Sequence, residues 1–173
     1  MADSWAGEKM TSPCSMARIT ELPNVHPENV AHVGARNSMN PRDHVELAET
    51  RGIRFFSMRE VIDRGIAPVV DEAAGRLWSD TTGQYLSINM NVMDASAAPG
   101  VTAPEPGGLE SREVMQLATR LGERGAPSII EISELSPVYD VSDTTSKLAA
   151  CIVLRLIAAN CKERGETVDQ SIR

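Results

Sequence analysis

The chain has 173 residues, of which 42% are hydrophobic and 24% charged, and its net charge is -7 at pH 7. This composition is typical of one globular domain whose core is aliphatic, because aromatic residues make up only 3%. A chain with a pI near 5.0 lacks the basic patch of nucleic-acid-binding proteins. No apolar run approaches the roughly 18 residues of a membrane span, and no signal peptide is visible. Together with three cysteines that form neither a metal-binding spacing nor an even disulfide set, this predicts a cytoplasmic protein without membrane contact.

Strand and helix patterns alternate along the chain after a loop-rich segment, residues 1–28, that holds one short helix. The predicted strands cover residues 29–35, 53–56, 85–90 and 128–132. The predicted helices cover residues 40–51, 58–64, 69–77, 111–124 and 143–164. The alternation predicts an α/β fold with helices on both faces of a parallel sheet. The domain spans residues 29–164, and residues 165–173 form a polar tail.

Local signals set several helix boundaries. Asn40 is expected to cap the second helix, with Pro41 in its first turn. Ser57 and Glu60 have the spacing of a capping box for the third helix. Pro68 is expected to precede the fourth helix rather than to lie within it.

The stretch 84–109, QYLSINMNVMDASAAPGVTAPEPGGL, is the most informative part of the chain. A buried-looking strand gives way to a long loop rich in proline and glycine, which is costly to keep unless it builds a site. Asn89 and Asn91 lie two residues apart at the end of this strand, so their side chains point the same way. Because asparagine is disfavoured in strands, the pair indicates a site or the remains of one.

This stretch resembles the ureohydrolase superfamily, which includes arginases, agmatinases and formiminoglutamases. The family pattern S-x-D-x-D-x-x-D-P, followed by A-P-G, P-E-P-G-G-L and R-E, is matched here by Ser87, Asn89, Asn91, Asp94, Ala98-Pro99-Gly100, residues 104–109 and Arg112-Glu113. Residues 31–36 (AHVGAR) resemble the family's H-I-G-x-R strand, and residues 131–140 (EISELSPVYD) resemble its D-x-V-E-x-x-P-x-x-D segment. The resemblance implies an arginase-like three-layer α/β/α fold that is truncated at the amino-terminal side.

The departures from the family pattern concern the metal site. Asn89 and Asn91 stand where the family has metal-binding aspartates. The family's metal-binding histidine and D-A-H-x-D strand would precede residue 1, with Asp3 as their last remnant, and residues 12–14 lack the histidine of its H-G-T loop. Manganese prefers carboxylate oxygens, and each lost charge beside a dication matters by several kcal/mol even at an effective dielectric of ~20. We therefore expect no metal, no cofactor and no catalytic residue in this chain.

Two interpretations are open for the degenerate metal positions Asn89 and Asn91, and two for Glu134, the acidic residue that could bind a substrate. Asn89 and Asn91 are either buried amides bonded to the backbone or a metal site that has kept its shape without its charge. Glu134 aligns with the family glutamate that binds the substrate guanidinium, for which a carboxylate has apt geometry. The alternative for Glu134 is a local cap or pair.

The other residues of the site loop are expected to act as a scaffold. They are Ser87, Asp94, Pro99, Gly100, Gly107 and Gly108. Asp94 is expected to orient the loop through bonds to backbone amides. Gly107 and Gly108 allow either a close backbone approach or a plain tight turn. His32 is interpreted as a packed strand residue rather than a ligand.

Three functions follow from the resemblance. The first is a non-catalytic subunit of a heteromeric amidinohydrolase acting on a guanidine-type compound such as metformin. It would assemble, in a trimer- or hexamer-based complex, with a homologous catalytic subunit that carries manganese or nickel, because a sheet without its first strands has an exposed edge. The second is an active agmatinase-like enzyme whose other half comes from a partner chain, and the third is a guanidinium-binding module using Glu134. A designed aspartate-to-asparagine double substitution would not explain Ala95, so natural degeneration is preferred.

Overall fold

The computed structural model describes residues 1–36 and 41–166. Within these residues the strands are β1 (Ala31–Ala35), β2 (Arg54–Ser57), β3 (Tyr85–Asn89) and β4 (Ile129–Ser133). The helices are α1 (Ser15–Ile19), α2 (Arg42–Thr50), α3 (Met58–Arg64), α4 (Ile66–Leu77), α5 (Ser111–Glu123) and α6 (Thr144–Glu163). Parallel strands separated by helices confirm the predicted α/β class.

The strands form two parallel pairs rather than one continuous sheet. β1 pairs with β2, with Ala31 opposite Arg54, and β3 pairs with β4, with Tyr85 opposite Ile129. No backbone ladder joins the two pairs within the described residues. The single sheet expected from the sequence is thus divided in two, because strand and helix periodicity specifies the elements but not which distant strands pair.

Both strand pairs pack against one shared hydrophobic core. Side chains of β1 and of β3 and β4 contact the same cluster, whose largest fully buried members include Phe56, Met90, Met93, Leu109, Ile152 and Leu156. α5 and α6 cross closely at Gly122, where a Cβ would overlap the α6 backbone at Leu156. The four strands therefore lie over one common set of helices.

Several predicted boundaries shift by a few residues. α4 begins at Ile66 and not at residue 69, because Pro68 fits within the first turn, where its missing N–H has no intrahelical partner to lose. β3 ends at Asn89, and a 3-10 turn, Met90–Val92, follows it. The predicted cap Asn40 lies outside the described residues, and Pro41 directly precedes α2.

Half of the predicted capping box is present at α3. The Ser57 hydroxyl accepts the backbone N–H of Glu60 at 3.2 Å. The Glu60 side chain, however, pairs with Arg54 and Arg64 instead of returning to the cap. The local sequence pattern thus predicted the N-cap residue Ser57, whereas the ion pairs with Arg54 and Arg64 determine the orientation of the Glu60 side chain.

The amino-terminal segment contains α1 and two 3-10 turns, with loops between them. Arg18 binds Asp3 at 2.7 Å, and Arg51, which directly follows α2, donates to the carbonyl of Ala17 at 2.9 Å. Ala17 itself is fully buried. These contacts fasten the segment to α2.

The stretch Val141–Glu163, which comprises α6 and the 3-10 turn before it with a kink at Ser142 and Asp143, is long and apolar enough to cross a membrane, with a mean hydropathy of 1.3. On this criterion the expectation that no stretch qualifies was wrong. The helix packs on α5 through Ile152 and Leu156, while Leu154 and Ile157 are exposed. A core helix of a soluble protein passes the same test, so nothing about a membrane follows.

Candidate functional site

The loop that follows β3 is held in place by Arg36, the residue after β1. Its guanidinium donates hydrogen bonds to a set of backbone carbonyls, those of Asn91 (2.9 Å), Val92 (3.1 Å), Met93 (3.0 Å), Glu105 (3.1 Å) and Pro106 (3.3 Å). These bonds bring the carboxyl ends of β1 and β3 together and fix both ends of the loop. No role for Arg36 was predicted from the sequence, although this residue closes the AHVGAR segment.

Asn89 and Asn91 are bonded within their own loop. Asn89 Oδ1 accepts the backbone N–H of Asn91 at 2.9 Å. Asn91 Oδ1 accepts the N–H of Ala103 at 3.0 Å, and its Nδ2 donates to Thr102 Oγ1 at 3.3 Å. Both side-chain oxygens thus accept backbone N–H groups, as one of the two interpretations describes, although Asn89 is exposed and Asn91 half-buried rather than buried.

Glu134 is connected to Asn91 by hydrogen bonds through Thr102. The Thr102 hydroxyl donates to the Glu134 carboxylate, and the Thr102 N–H donates to the Glu134 carbonyl at 3.1 Å. Glu134 adopts a φ of +68°, in the left-handed region, which costs a residue with a side chain about 1–2 kcal/mol. Asn91, Thr102 and Glu134 thus form a continuous set of hydrogen bonds, the Asn91–Thr102–Glu134 chain. Thr102 was not predicted from the sequence, because its separation along the chain from Asn91 and from Glu134 gives no indication that the three residues interact.

Asp94 orients the loop, as predicted. Its Oδ1 accepts the N–H and the hydroxyl of Ser96 at 2.9 and 2.6 Å, and its Oδ2 accepts the N–H of Gly107 at 2.7 Å. These bonds, that of the Ser96 hydroxyl foremost, lower the pKa of Asp94 to about 2. Both carboxylate oxygens are therefore engaged by the loop itself.

The two adjacent glycines have different roles. A Cβ at Gly108 would overlap backbone atoms of Met93 and Asp94, so this position needs glycine for close approach. Gly107 has open space around it but a φ of +77°, the left-handed region that favours glycine. Each of the two interpretations proposed for the pair thus applies to one of its members.

The loop also contacts the amino end of α6 through Gly100. A Cβ at Gly100 would overlap Asp140, and the Gly100 N–H donates to Thr145 Oγ1 at 2.8 Å. Burial raises the pKa of Asp140, but hydrogen bonds from Thr145 and Ser146 outweigh this effect and lower the pKa to about 2. Pro99 is half-buried beside Gly100. Asp140 is a structural residue whose role was not predicted from the sequence.

Ser87 does not contact the Asn91–Thr102–Glu134 chain. It lies on the exposed face of β3, opposite Glu131 of β4. Hydrogen bonds from Tyr85 and, less strongly, from Ser87 lower the pKa of Glu131. Ser87 thus belongs to the open sheet face.

His32 is a packed strand residue, as predicted. Its ring stacks on Phe55 with centroids 4.7 Å apart and an interplanar angle of 7°. Burial, with a smaller effect of the Met1 ammonium group, lowers the pKa of His32 to about 4. Its buried Nδ1 has no hydrogen-bond partner among the described residues.

The donor set at this site does not suit a pair of divalent metals. Within residues 1–36 and 41–166, no three His, Cys, Asp or Glu side chains are grouped to hold a metal ion. Asn89 and Asn91 offer neutral oxygens that already accept N–H bonds, and Asp94 is engaged on both oxygens. Manganese prefers carboxylate oxygens, and their charge is lacking at both positions. The residues present therefore do not fit the manganese or nickel of the family.

Among known protein families, the model of the arginase family matches residues 1–159 of the chain. The chain belongs to the arginase family. A formimidoylglutamase of Halalkalibacterium halodurans is 31% identical to it over 134 residues, which cover 78% of this chain and 42% of that protein. The arginase structure from Bacillus caldovelox aligns with a TM-score of 0.73 and 30% identity over 78% of this chain and 44% of that one.

The arginase-like fold is also seen in the formimidoylglutamase structure from Bacillus subtilis. It aligns with a TM-score of 0.84 and 24% identity, covering 91% of this chain and 49% of that chain. This arginase-family chain thus spans about half the length of the relatives it matches. The family match begins at residue 1, whereas the resemblance in the sequence motifs began at residue 29.

Proposed function

We propose that this arginase-family chain is a non-catalytic subunit of a heteromeric amidinohydrolase that acts on a guanidine-type compound. The Asn91–Thr102–Glu134 chain carries this proposal. A divalent ion at Asn91 would displace the bonds to Ala103 and Thr102 and would meet a neutral amide in exchange. The loop therefore keeps the framework of a site while its side chains satisfy one another without a metal.

The proposed partner is a homologous catalytic subunit that binds manganese or nickel. Asn89 and Asn91 support such an assembly, because their neutral amides lack the charge that the metal ions would find on the partner. We place the complex in the cytoplasm, in a trimer- or hexamer-based arrangement. Metformin and related guanidines are the substrates to test first.

The second candidate function is an active agmatinase-like enzyme that hydrolyses a guanidinium C–N bond, with its other half supplied by a partner chain. It is favoured by Glu134, a half-buried carboxylate at the end of β4 that accepts a hydrogen bond from Thr102. Such a carboxylate has apt geometry for a guanidinium fork. The two candidates differ in whether Glu134 contributes to turnover.

Co-expression with an arginase-family chain encoded in the same genome tests the proposal. We expect a mixed oligomer whose metal ions, measured by inductively coupled plasma mass spectrometry, reside on the partner, and near-zero metal in this chain alone. Two metal ions per isolated chain would contradict the non-catalytic assignment. A soluble monomer that forms no mixed oligomer would contradict the subunit assignment.

Two variants of this chain separate the candidates. In the mixed oligomer, Glu134→Gln should leave kcat unchanged if the chain is non-catalytic, and should abolish urea or ammonia release if Glu134 holds the substrate. The double variant Asn89→Asp with Asn91→Asp should create no activity in the chain alone, because the other donors within residues 1–36 and 41–166 do not form a metal site. Activity in this double variant would show that the chain holds a complete site.

A further inference from the structure

A short antiparallel ladder joins the loop that follows β3 to the turn that follows β4. At one end of this ladder the N–H of Thr102 donates to the carbonyl of Glu134 at 3.1 Å. At the other end the N–H of Ser136 donates to the carbonyl of Gly100 at 2.9 Å. Because the backbone fixes the two segments side by side, the Thr102 and Glu134 side chains are held next to each other.

The Thr102 hydroxyl carries one proton, and Asn91 determines where that proton points. Asn91 Nδ2 donates to Thr102 Oγ1 at 3.3 Å, so the hydroxyl oxygen is an acceptor on the side of Asn91. Its single proton is therefore directed to the Glu134 carboxylate, to which it donates. The Asn91–Thr102–Glu134 chain thus runs in one direction and ends on Oε2 of Glu134.

The two carboxylate oxygens of Glu134 have different surroundings. Oε2 accepts the Thr102 hydroxyl. Within residues 1–36 and 41–166, Oε1 has no hydrogen-bond partner, and no cationic side chain pairs with the carboxylate. A guanidinium binds a carboxylate most strongly as a fork, with two parallel N–H···O bonds, one to each oxygen. With the Thr102 side chain against Oε2, only Oε1 is open to such a ligand.

We propose that Thr102 is a specificity-determining residue that prevents Glu134 from binding a guanidinium group as a fork. Glu134 can then accept a single N–H bond from a cation, so it does not prefer a guanidinium over a simple ammonium ion. This role for Thr102 rests on the proposed function, because it explains how a non-catalytic subunit withholds its candidate substrate-binding carboxylate. A substrate guanidinium would first have to break the bond between Thr102 and Glu134.

Thr102→Ala opens the carboxylate, and Thr102→Ser is its matched control, because the two variants differ only in the hydroxyl. Thr102 is exposed, and both variants keep the backbone N–H that bonds to Glu134, so both should fold. We expect Thr102→Ala to bind guanidinium about tenfold more tightly than the unmodified chain. This factor corresponds to about 1.4 kcal/mol, close to the contribution of one hydrogen bond to a charged group. Thr102→Ser should bind guanidinium like the unmodified chain.

Carbon-13 NMR of the full chain, labelled at the glutamate carboxyl carbons, measures this binding at Glu134. The Glu134 resonance is assigned by its absence from the Glu134→Gln variant. Guanidinium chloride is titrated at constant ionic strength, far below the concentrations that unfold proteins, and ammonium chloride serves as the point-charge comparison. We expect a clear preference for guanidinium in Thr102→Ala, and none in the unmodified chain or in Thr102→Ser.

Each result of the titration counts for or against the role of Thr102. Equal guanidinium affinities of Thr102→Ala and Thr102→Ser would overturn it. So would a gain in Thr102→Ala that appears at other glutamates but not at Glu134. If Thr102→Ala does not fold, the unmodified chain decides, since a preference for guanidinium over ammonium at Glu134 would overturn the role and equal binding would support it.

Failure of this role and failure of the proposed function give different results. The titration uses this chain alone, whereas the proposed function is tested by turnover and metal content in the mixed oligomer. Turnover that depends on Glu134 in the mixed oligomer would overturn the proposed function, whatever the titration shows. Equal affinities of the two Thr102 variants would overturn the role of Thr102 and leave the non-catalytic assignment standing.

Discussion

The side-chain amide of Asn91 donates a hydrogen bond to the Thr102 hydroxyl, 3.3 Å away, and that hydroxyl donates in turn to Glu134. An aspartate at position 91 has no proton to donate at neutral pH. The Thr102 hydroxyl carries one proton and could donate a hydrogen bond to only one of the two carboxylates, the one at position 91 or that of Glu134. The asparagine therefore does more than remove a charge. It supplies the donor that lets the loop close without a cation.

Asn91→Asp should destabilise the chain by about 1 kcal/mol, the typical net contribution of one hydrogen bond. Urea denaturation measures the change. Asn24→Asp introduces the same charge at an exposed asparagine and serves as the control. A loss no larger than that of the control would contradict the role given to the Asn91–Thr102–Glu134 chain.

Alanine substitutions at three glycines should change the free energy of unfolding in different directions. Gly108→Ala should cost about 2 kcal/mol or more, because its Cβ overlaps the backbone at Met93. Gly107→Ala, with open space but a φ of +77°, should cost about 1–2 kcal/mol. Gly75→Ala, within α4 and free of close neighbours, should stabilise the fold by about 0.5–1 kcal/mol. Equal effects of the first two substitutions in urea melts would refute the close approach at Gly108.

His32 should make the unfolding free energy depend on pH. Its pKa is lowered to about 4 in the fold, so between pH 4 and pH 6.5 the unfolded chain binds more protons than the folded one. Stability is therefore full above pH 6.5 and falls, by up to about 3 kcal/mol, as the pH drops towards 4. Urea melts from pH 4.5 to 7.5 should show this slope.

Two substitutions assign that slope to its residue. His32→Gln should flatten the pH dependence, whereas His26→Gln, at an exposed histidine, should leave it intact. The readout is the slope rather than the absolute stability, since replacing a stacked ring also changes packing. A slope that survives in His32→Gln would show that another group titrates in this range.

Asp140 should stabilise the amino end of α6. Its carboxylate accepts the N–H groups of Thr145 and Ser146, each at 2.8 Å, where the helix dipole also favours a negative charge. Asp140→Asn should lower the melting temperature clearly more than Asp143→Asn, because Asp143 is exposed and makes no side-chain cap bond. Thermal melts followed by circular dichroism compare the two, and equal shifts would contradict the capping role.

The sequence by itself determined which segments become strands and helices, and it marked the loop after β3 as the candidate site. α3 matches its predicted bounds because Ser57 and Gly65 are local signals, and a cap or a positive φ needs no distant partner. The neutral positions Asn89 and Asn91 were likewise visible in the motif itself.

Only the tertiary structure decided how those elements pair and what the site residues bind. Arg36 reaches a carbonyl 69 residues away, and Thr102 meets Glu134 across 32 residues, distances that no local pattern encodes. The division of the strands into two pairs has the same cause, since strand pairing depends on neighbours far apart in the chain. Local periodicity thus specified the strands and helices, whereas long-range hydrogen bonds specified the two separate strand pairs and the conformation of the loop that follows β3.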